Sequence, residues 1–287
     1  MKDRQPLEHP DVAGSIPLEL RAVSSLRVSY VAYRTDAELT VAGKLVTVQP
    51  DDGGVTERGP AVLICHGSDG VDGRGEFHAA ALNAAGIATL EIDMWAARGT
   101  GRGAASRPKS VPETLPDAFA GARCLAAQPE IDPARIGILG FSWGAVVSLL
   151  SATRRAASEA KTRFAAHAAL YPVCWSYETP AGFSLSDLTG APILIQAGDA
   201  DAYDDPDGLD QLMARLPPAS RALIRPITHR GAGHGFDRDA PARTIVDPFA
   251  HKGKGGPVLM AHHPEAAMAA RAANVAFFRE VFDITAN

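Results

Sequence analysis

The chain has 287 residues, of which 46% are hydrophobic and 21% charged, and its net charge is −5. That balance suits a soluble protein with a substantial core, and it excludes the basic footprint of a nucleic-acid or membrane-surface binder. No apolar run reaches the length of a membrane span, and the opening MKDRQPLEHPDVAG lacks the hydrophobic stretch of a secretory signal. Cys65, Cys124 and Cys174 are odd in number, widely spaced and without a C-x-x-C pair. They read as reduced thiols of a cytoplasmic protein, not as a disulfide framework or a zinc site.

Residues 1–20 are polar and proline-punctuated and are expected to form an arm over the surface. Alternating polar and apolar residues at 27–33 and 39–48 predict two half-buried strands that pair antiparallel, followed by a turn at 50–54. At 61–65 the pattern changes to the continuous apolar run Ala61-Val62-Leu63-Ile64-Cys65, as expected of a strand covered on both faces. A helix over 75–85 ends at Gly86. A strand over 87–93, a polar loop over 94–112 and a helix over 113–127 follow. Further strands are predicted at 134–140, 164–171, 191–198 and 221–227, the one at 221–227 being the last. Helices are predicted after Ser142, at 205–216 and at 264–282, with an irregular connection at 172–190. Strands alternating with helices indicate a mostly parallel central sheet with helices on both faces. No repeat or flexible linker divides residues 21–287, so one domain is expected, with a connection at 172–190 too short for a large cap.

The chemistry gathers just past the strands, where open α/β sheets place their ligands. After the 134–140 strand comes Gly140-Phe141-Ser142-Trp143-Gly144, a strand–turn–helix sequence that pushes one hydroxyl out above the sheet. A serine hydroxyl is a weak nucleophile unless an imidazole takes its proton and a carboxylate orients that imidazole. Later strands supply both, in the order serine, acid, histidine. His234, in Gly233-His234-Gly235-Phe236, is preferred as base over His229, His251, His262 and His263. Asp201 is preferred as acid over Asp199, because it lies further out along the turn. The cluster Asp199, Asp201, Asp204, Asp205 and Asp207 lacks the glycine and terminal acid of an EF-hand, so no metal is expected. The oxyanion hole needs two backbone donors: Trp143, after the nucleophile, and Ser68, with Asp69 as the weaker alternative to Ser68.

These motifs together resemble the dienelactone hydrolase family of α/β hydrolases, from about residue 40 to the C-terminus. The resemblance rests on His66-Gly67-Ser68-Asp69-Gly70, the stretch from Glu91 to Gly99, the Ser142 turn, Gly198-Asp199-Ala200-Asp201 and Gly233-His234-Gly235-Phe236. It implies an α/β-hydrolase fold and a Ser142–His234–Asp201 triad working without a cofactor. His66, Asp69, Trp95 and Arg98 are expected to face the substrate, with an ion pair to a loop carboxylate as the other reading of Arg98. The family's founding enzymes carry cysteine in this turn and cleave a carboxylate-bearing dienelactone. Ser142 instead favours general hydrolysis of small esters, lactones included. A peptidase or an acyltransferase could use the same triad, and a binding protein could keep the fold without catalysis. A lipase would want an apolar lid, which the loop rich in Arg and Gly at 94–112 does not supply. Trp95, Trp143, Trp175, Tyr177 and Tyr203 are candidates to wall an acyl or aromatic pocket. The partner expected is a small-molecule ester or lactone, not nucleic acid or membrane. A homodimer is compatible with the chain.

Overall fold

The structure is a computed structural model, and it describes residues 25–49, 58–101 and 106–284. The arm expected at 1–20 and the turn expected at 50–54 lie outside the described residues.

Two strands, β1 (Ser25–Arg34) and β2 (Thr40–Gln49), pair antiparallel across their full length. Then come β3 (Gly59–Cys65), α1 (Arg74–Ala84), β4 (Ala88–Asp93), α2 (Leu115–Ala126), β5 (Ile131–Phe141), α3 (Trp143–Ser151) and α4 (Arg154–Ala160). They are followed by β6 (Ala166–Leu170), β7 (Ile193–Gly198), α5 (Gly208–Arg215), α6 (Pro218–Arg221) and β8 (Ile224–His229). The chain ends through β9 (Arg243–Asp247), α7 (Ala250–Gly253), β10 (Gly256–Met260) and α8 (Pro264–Val281). Eight strands form one sheet in the order β1-β2-β4-β3-β5-β6-β7-β8, parallel from β4 to β8. The β2–β4 pair is antiparallel.

The continuous apolar runs follow from burial on both faces. Leu63 and Cys65 of β3 join a core with α2, α3 and α5, while Val62 and Ile64 join a second core with α1 and α8. Each fully buried side chain of this size contributes about 1.5–3 kcal/mol. The parallel strands therefore have little freedom to slip: a one-residue shift would leave the β5 glycines, Gly137 and Gly140, where larger side chains now pack. All of α3 is buried, which fits its small and apolar sequence WGAVVSLLS.

Three departures from the sequence reading concern the C-terminal half. Residues 154–160 form a short helix that the pattern did not reveal; its N-cap is Thr153, whose Oγ1 accepts a hydrogen bond from the Ala156 N–H. Residues 218–221 are a helical turn started by Pro218, so the strand expected at 221–227 begins at Ile224. That strand is not the last, because β9 and β10 pair as a separate antiparallel hairpin. Ile245, Val258 and Met260 of the hairpin pack with Tyr203 and Val173 in a third cluster beside the strand ends. No helix among the described residues is long and apolar enough to cross a membrane.

Candidate active site

Ser142 stands at the turn from β5 into α3 with φ 50° and ψ −107°. A non-glycine residue in that region stores about 1–3 kcal/mol of strain, so the surroundings must over-determine the turn. Backbone atoms do so. The Ser142 N–H donates to the Leu170 carbonyl at 3.0 Å, and the Ser142 carbonyl accepts from Val146 N at 3.0 Å. The glycines on either side are required by close approach. A Cβ on Gly140 would meet the Gly144 carbonyl oxygen at 1.9 Å, and one on Gly144 would meet the Cys65 carbonyl oxygen at 2.1 Å.

The serine Oγ lies 2.8 Å from His234 Nε2, and His234 Nδ1 lies 2.7 Å from Asp201 Oδ2. The three side chains come from separate connections, past β5, β7 and β8. Asp201 Oδ1 accepts from the Tyr203 N–H at 2.9 Å, which fixes the carboxylate plane. The ring of His234 is held between Tyr203, at 4.2 Å, and Tyr171, at 4.9 Å. Asp199 is engaged elsewhere: its Oδ1 accepts from Gly231 N at 2.6 Å and ties down the loop that carries the histidine. The other aspartates of the cluster have separate tasks. Asp204 accepts from the backbone N–H groups of Cys174 and Trp175, and burial, with the charge of Asp201 second, pushes its carboxyl up to about 6. Asp205 pairs with Lys252, and Asp207 accepts from Gln211. Among the described residues no group of three or more His, Cys, Asp or Glu side chains could hold a metal ion.

The loop after β3 runs beside Ser142. A Cβ placed on Gly67 would lie 3.5 Å from Ser142 Cβ, so Ser68 follows at the serine itself. Trp143 is the first residue of α3, and its N–H therefore has no acceptor within the helix. Ser68 lines the cavity at Ser142, and its carbonyl accepts from Trp95 Nε1 at 3.0 Å.

Of the four residues expected to face substrate, the structure brings only Asp69 to the wall of a cavity at Ser142, where it pairs with Arg243. The other three serve the framework. His66 is buried, accepts from the Met94 N–H at Nε2 and stands 2.8 Å from the Gly67 carbonyl at Nδ1. Burial lowers its pKa to about 4, so it is neutral at pH 7 and acts as a brace between two loops. Trp95 is buried edge-on against Trp143 and His66. Arg98 donates to both oxygens of Asp117, at 2.6 and 3.2 Å, and to the carbonyls of Met94 and Glu113. Its ion-pair reading is the one the structure adopts. Tyr177, a candidate for the pocket wall, is fully buried and donates to the Pro172 carbonyl instead.

Several residues at the site carried no signal in the sequence reading. Arg107 donates to Ser68 Oγ at 2.9 Å and to both oxygens of Asp247, at 3.0 and 3.2 Å. Its guanidinium lies over the rings of Phe249 and Trp143. Burial disfavours the charge on Asp247, yet the hydrogen bonds and charge of Arg107, the Phe249 N–H and Tyr203 together outweigh it and hold that carboxyl below its usual range. Behind His234, the Tyr171 hydroxyl donates to Asp237 at 2.6 Å and accepts from Arg74 at 3.2 Å. Asp237 also faces His78 Nε2 at 2.9 Å. Two short apolar runs around Lys252-Gly253-Lys254-Gly255 are a hairpin signal that would have exposed β9 and β10, and Asp247 with them.

Comparison with known proteins gives the family and the fold. Residues 50–282 match the model of the dienelactone hydrolase family. The chain belongs to the dienelactone hydrolase family. Two uncharacterized proteins from strains of Mycobacterium tuberculosis are each 30% identical to it over 199 residues, covering 66% of this chain and 68% of each relative. The fold is shared with a putative dienelactone hydrolase of Klebsiella pneumoniae, at a TM-score of 0.65 and 16% identity, over 89% of this chain and 99% of that one. A dienelactone hydrolase-like promiscuous phosphotriesterase from metagenomic libraries aligns at a TM-score of 0.62 and 20% identity, over 90% of this chain and 99% of that one. Esterase 2 of Thermogutta terrifontis, solved as its paraoxon-phosphorylated form, aligns at 0.64 and 14%, over 91% and 96%. This family member is therefore an α/β hydrolase, with serine at the turn from β5 into α3.

Proposed function

We propose that this dienelactone hydrolase-like protein cleaves carboxylic esters of small molecules, lactones among them, through an acyl-serine. The observation that carries the reading is the continuous line from Ser142 Oγ through His234 to Asp201, at 2.8 and 2.7 Å, on a strained turn. Ser142 Oγ attacks the ester carbonyl carbon as its proton passes to His234 Nε2, and Asp201 stabilises the resulting imidazolium. The N–H groups of Ser68 and Trp143 receive the negative charge on the former carbonyl oxygen. The carbon–oxygen ester bond then breaks, and His234 returns the proton to the departing alkoxide. Water attacks the acyl-serine by the same steps in reverse, releasing the acid. No step calls on a metal or a cofactor.

A dienelactone bearing a free carboxylate is disfavoured as substrate. The arginines around the site are each matched with a carboxylate: Arg74 with Asp72, Arg107 with Asp247, Arg243 with Asp69 and Arg98 with Asp117. An anionic group seeking one of these arginines would have to break its pair. The test is hydrolysis of p-nitrophenyl esters by the parent and by Ser142→Ala. The variant is expected to lose about 10⁴-fold or more in kcat; activity within tenfold of the parent would refute the assignment.

A further inference from the structure

Two cavities meet at the nucleophile, and they differ in character. Ser68, Ser142 and Tyr203 belong to the walls of both. The first, of about 330 Å³, is otherwise lined mainly by apolar groups, among them Trp143, Val146, Val173, Trp175, Phe183 and Phe249. The second, of about 190 Å³, is the more polar: it is lined by His234 with Asp69, Arg74, Arg243 and Asp247, and along one side by Ile245, Val246 and Met260. Arg107 faces the first and Asp247 the second, so their ion pair stands between the two.

Stereochemistry assigns a substrate half to each. In the tetrahedral intermediate the leaving oxygen must lie beside His234 Nε2, which gives it a proton, and the oxyanion must lie at the Ser68 and Trp143 N–H groups. The acyl carbon takes the direction that remains, away from His234. His234 lines the second cavity and not the first, and Trp143 lines the first and not the second. The alcohol half therefore occupies the charged cavity and the acyl half the apolar one.

The charges of the second cavity are matched internally. Asp69 is paired with Arg243, Arg74 with Asp72 and Asp247 with Arg107. Such walls present donors and acceptors without a large net charge. They suit a neutral, hydroxyl-rich alcohol, which can replace lost water contacts, and they disfavour a hydrocarbon alcohol, which would strip water from charged groups with no return. Resting on the esterase reading above, we propose that the substrates are esters joining an apolar acid to a small neutral polyol of the glycerol or sugar type.

The experiment is a matrix of kcat/KM values by pH-stat on the full chain. With butyrate as the acid, the alcohols are glycerol, hexanol and cyclohexanol; with glycerol as the alcohol, the acids are acetic, butyric, hexanoic and benzoic. Glyceryl butyrate is expected to exceed hexyl and cyclohexyl butyrate by tenfold or more. The better of the hexanoyl and benzoyl esters is expected to exceed the acetyl ester by tenfold or more. Arg243→Leu should reduce the preference for glycerol at least fivefold while keeping the acyl dependence. Trp175→Ala, which enlarges the first cavity, should move the acyl optimum to larger acids while keeping the glycerol preference. A preference for hexyl over glyceryl butyrate, or the two variants acting on the opposite halves, would overturn the assignment. So would an enzyme whose Ser142 reacts with a fluorophosphonate but which leaves every ester of the matrix intact. If Ser142 also fails to react, the esterase reading itself falls.

Discussion

The floor of this site and its roof are held by different forces. Around Ser142 the chain is fixed by backbone atoms: carbonyls of Cys65 and Gly144 occupy the space that side chains at 140 and 144 would need, and Leu170 receives the serine N–H. Over the site, Arg107 and the β9–β10 hairpin are joined to the loop after β3 by charged side chains, with Arg107 gripping both Ser68 and Asp247 and Arg243 gripping Asp69. A backbone-built floor tolerates almost no substitution but depends little on solution conditions. A roof made of ion pairs can be loosened one contact at a time, and by acid.

The largest effect should come from breaking the line of three side chains on the floor. Asp201→Asn keeps the shape but removes the charge that fixes the His234 tautomer, and should lower kcat by about 10⁴-fold. Asp199→Asn touches only the loop tether at Gly231 and should leave ester hydrolysis within tenfold. Equal losses in the two variants would remove Asp201 from its place. Next in size, Gly144→Ala forces a methyl group against the Cys65 carbonyl and should cost about 3 kcal/mol in urea unfolding, near the upper end for overpacked sites. A change of less than 0.5 kcal/mol would mean that the turn is more pliable than its contacts imply.

The contrast between floor and roof also marks what was legible in the sequence. Ser142, Asp201 and His234, which the structure brings into contact, all lie within a few residues of strand ends, so their spacing in the sequence made them candidates. Asp201 and Asp199 stayed in competition because two residues of turn decide which carboxylate reaches the ring, and that choice depends on Tyr203 and Gly231. Arg98 looked like a site residue because it follows a strand, but its partner Asp117 lies on α2, 19 positions along. The pairing of Arg107 with Asp247 was invisible for a stronger reason: the two are 140 positions apart, so no local pattern joins them even where the hairpin signal marks Asp247. The hairpin was missed because each of its strands has only five residues.

On the roof, Arg107→Met and Asp247→Asn should each lower kcat/KM by about 10- to 100-fold, with the double variant no worse than the worse single one, because they remove the same contact. Additive losses would show that the two residues act separately. The pair should also respond to acid. The Asp247 carboxyl is held below its usual range, so its contribution to stability is present above the ordinary aspartate pKa and is lost as pH falls through the lowered value. The difference in unfolding free energy between parent and Asp247→Asn should therefore shrink at the acid end of a pH series, and a difference that stays constant would contradict the pairing.

The most direct test of the site is covalent. Paraoxon or a fluorophosphonate is added to the parent and to His234→Ala, and the adduct is located by peptide mass spectrometry while residual esterase activity is followed. The expected result is one adduct on the parent, on the peptide carrying Ser142, formed in step with loss of activity and at least 100-fold more slowly without His234. Full inactivation with the label on another residue, or full activity after Ser142 is labelled, would contradict the assignment of Ser142 as the nucleophile.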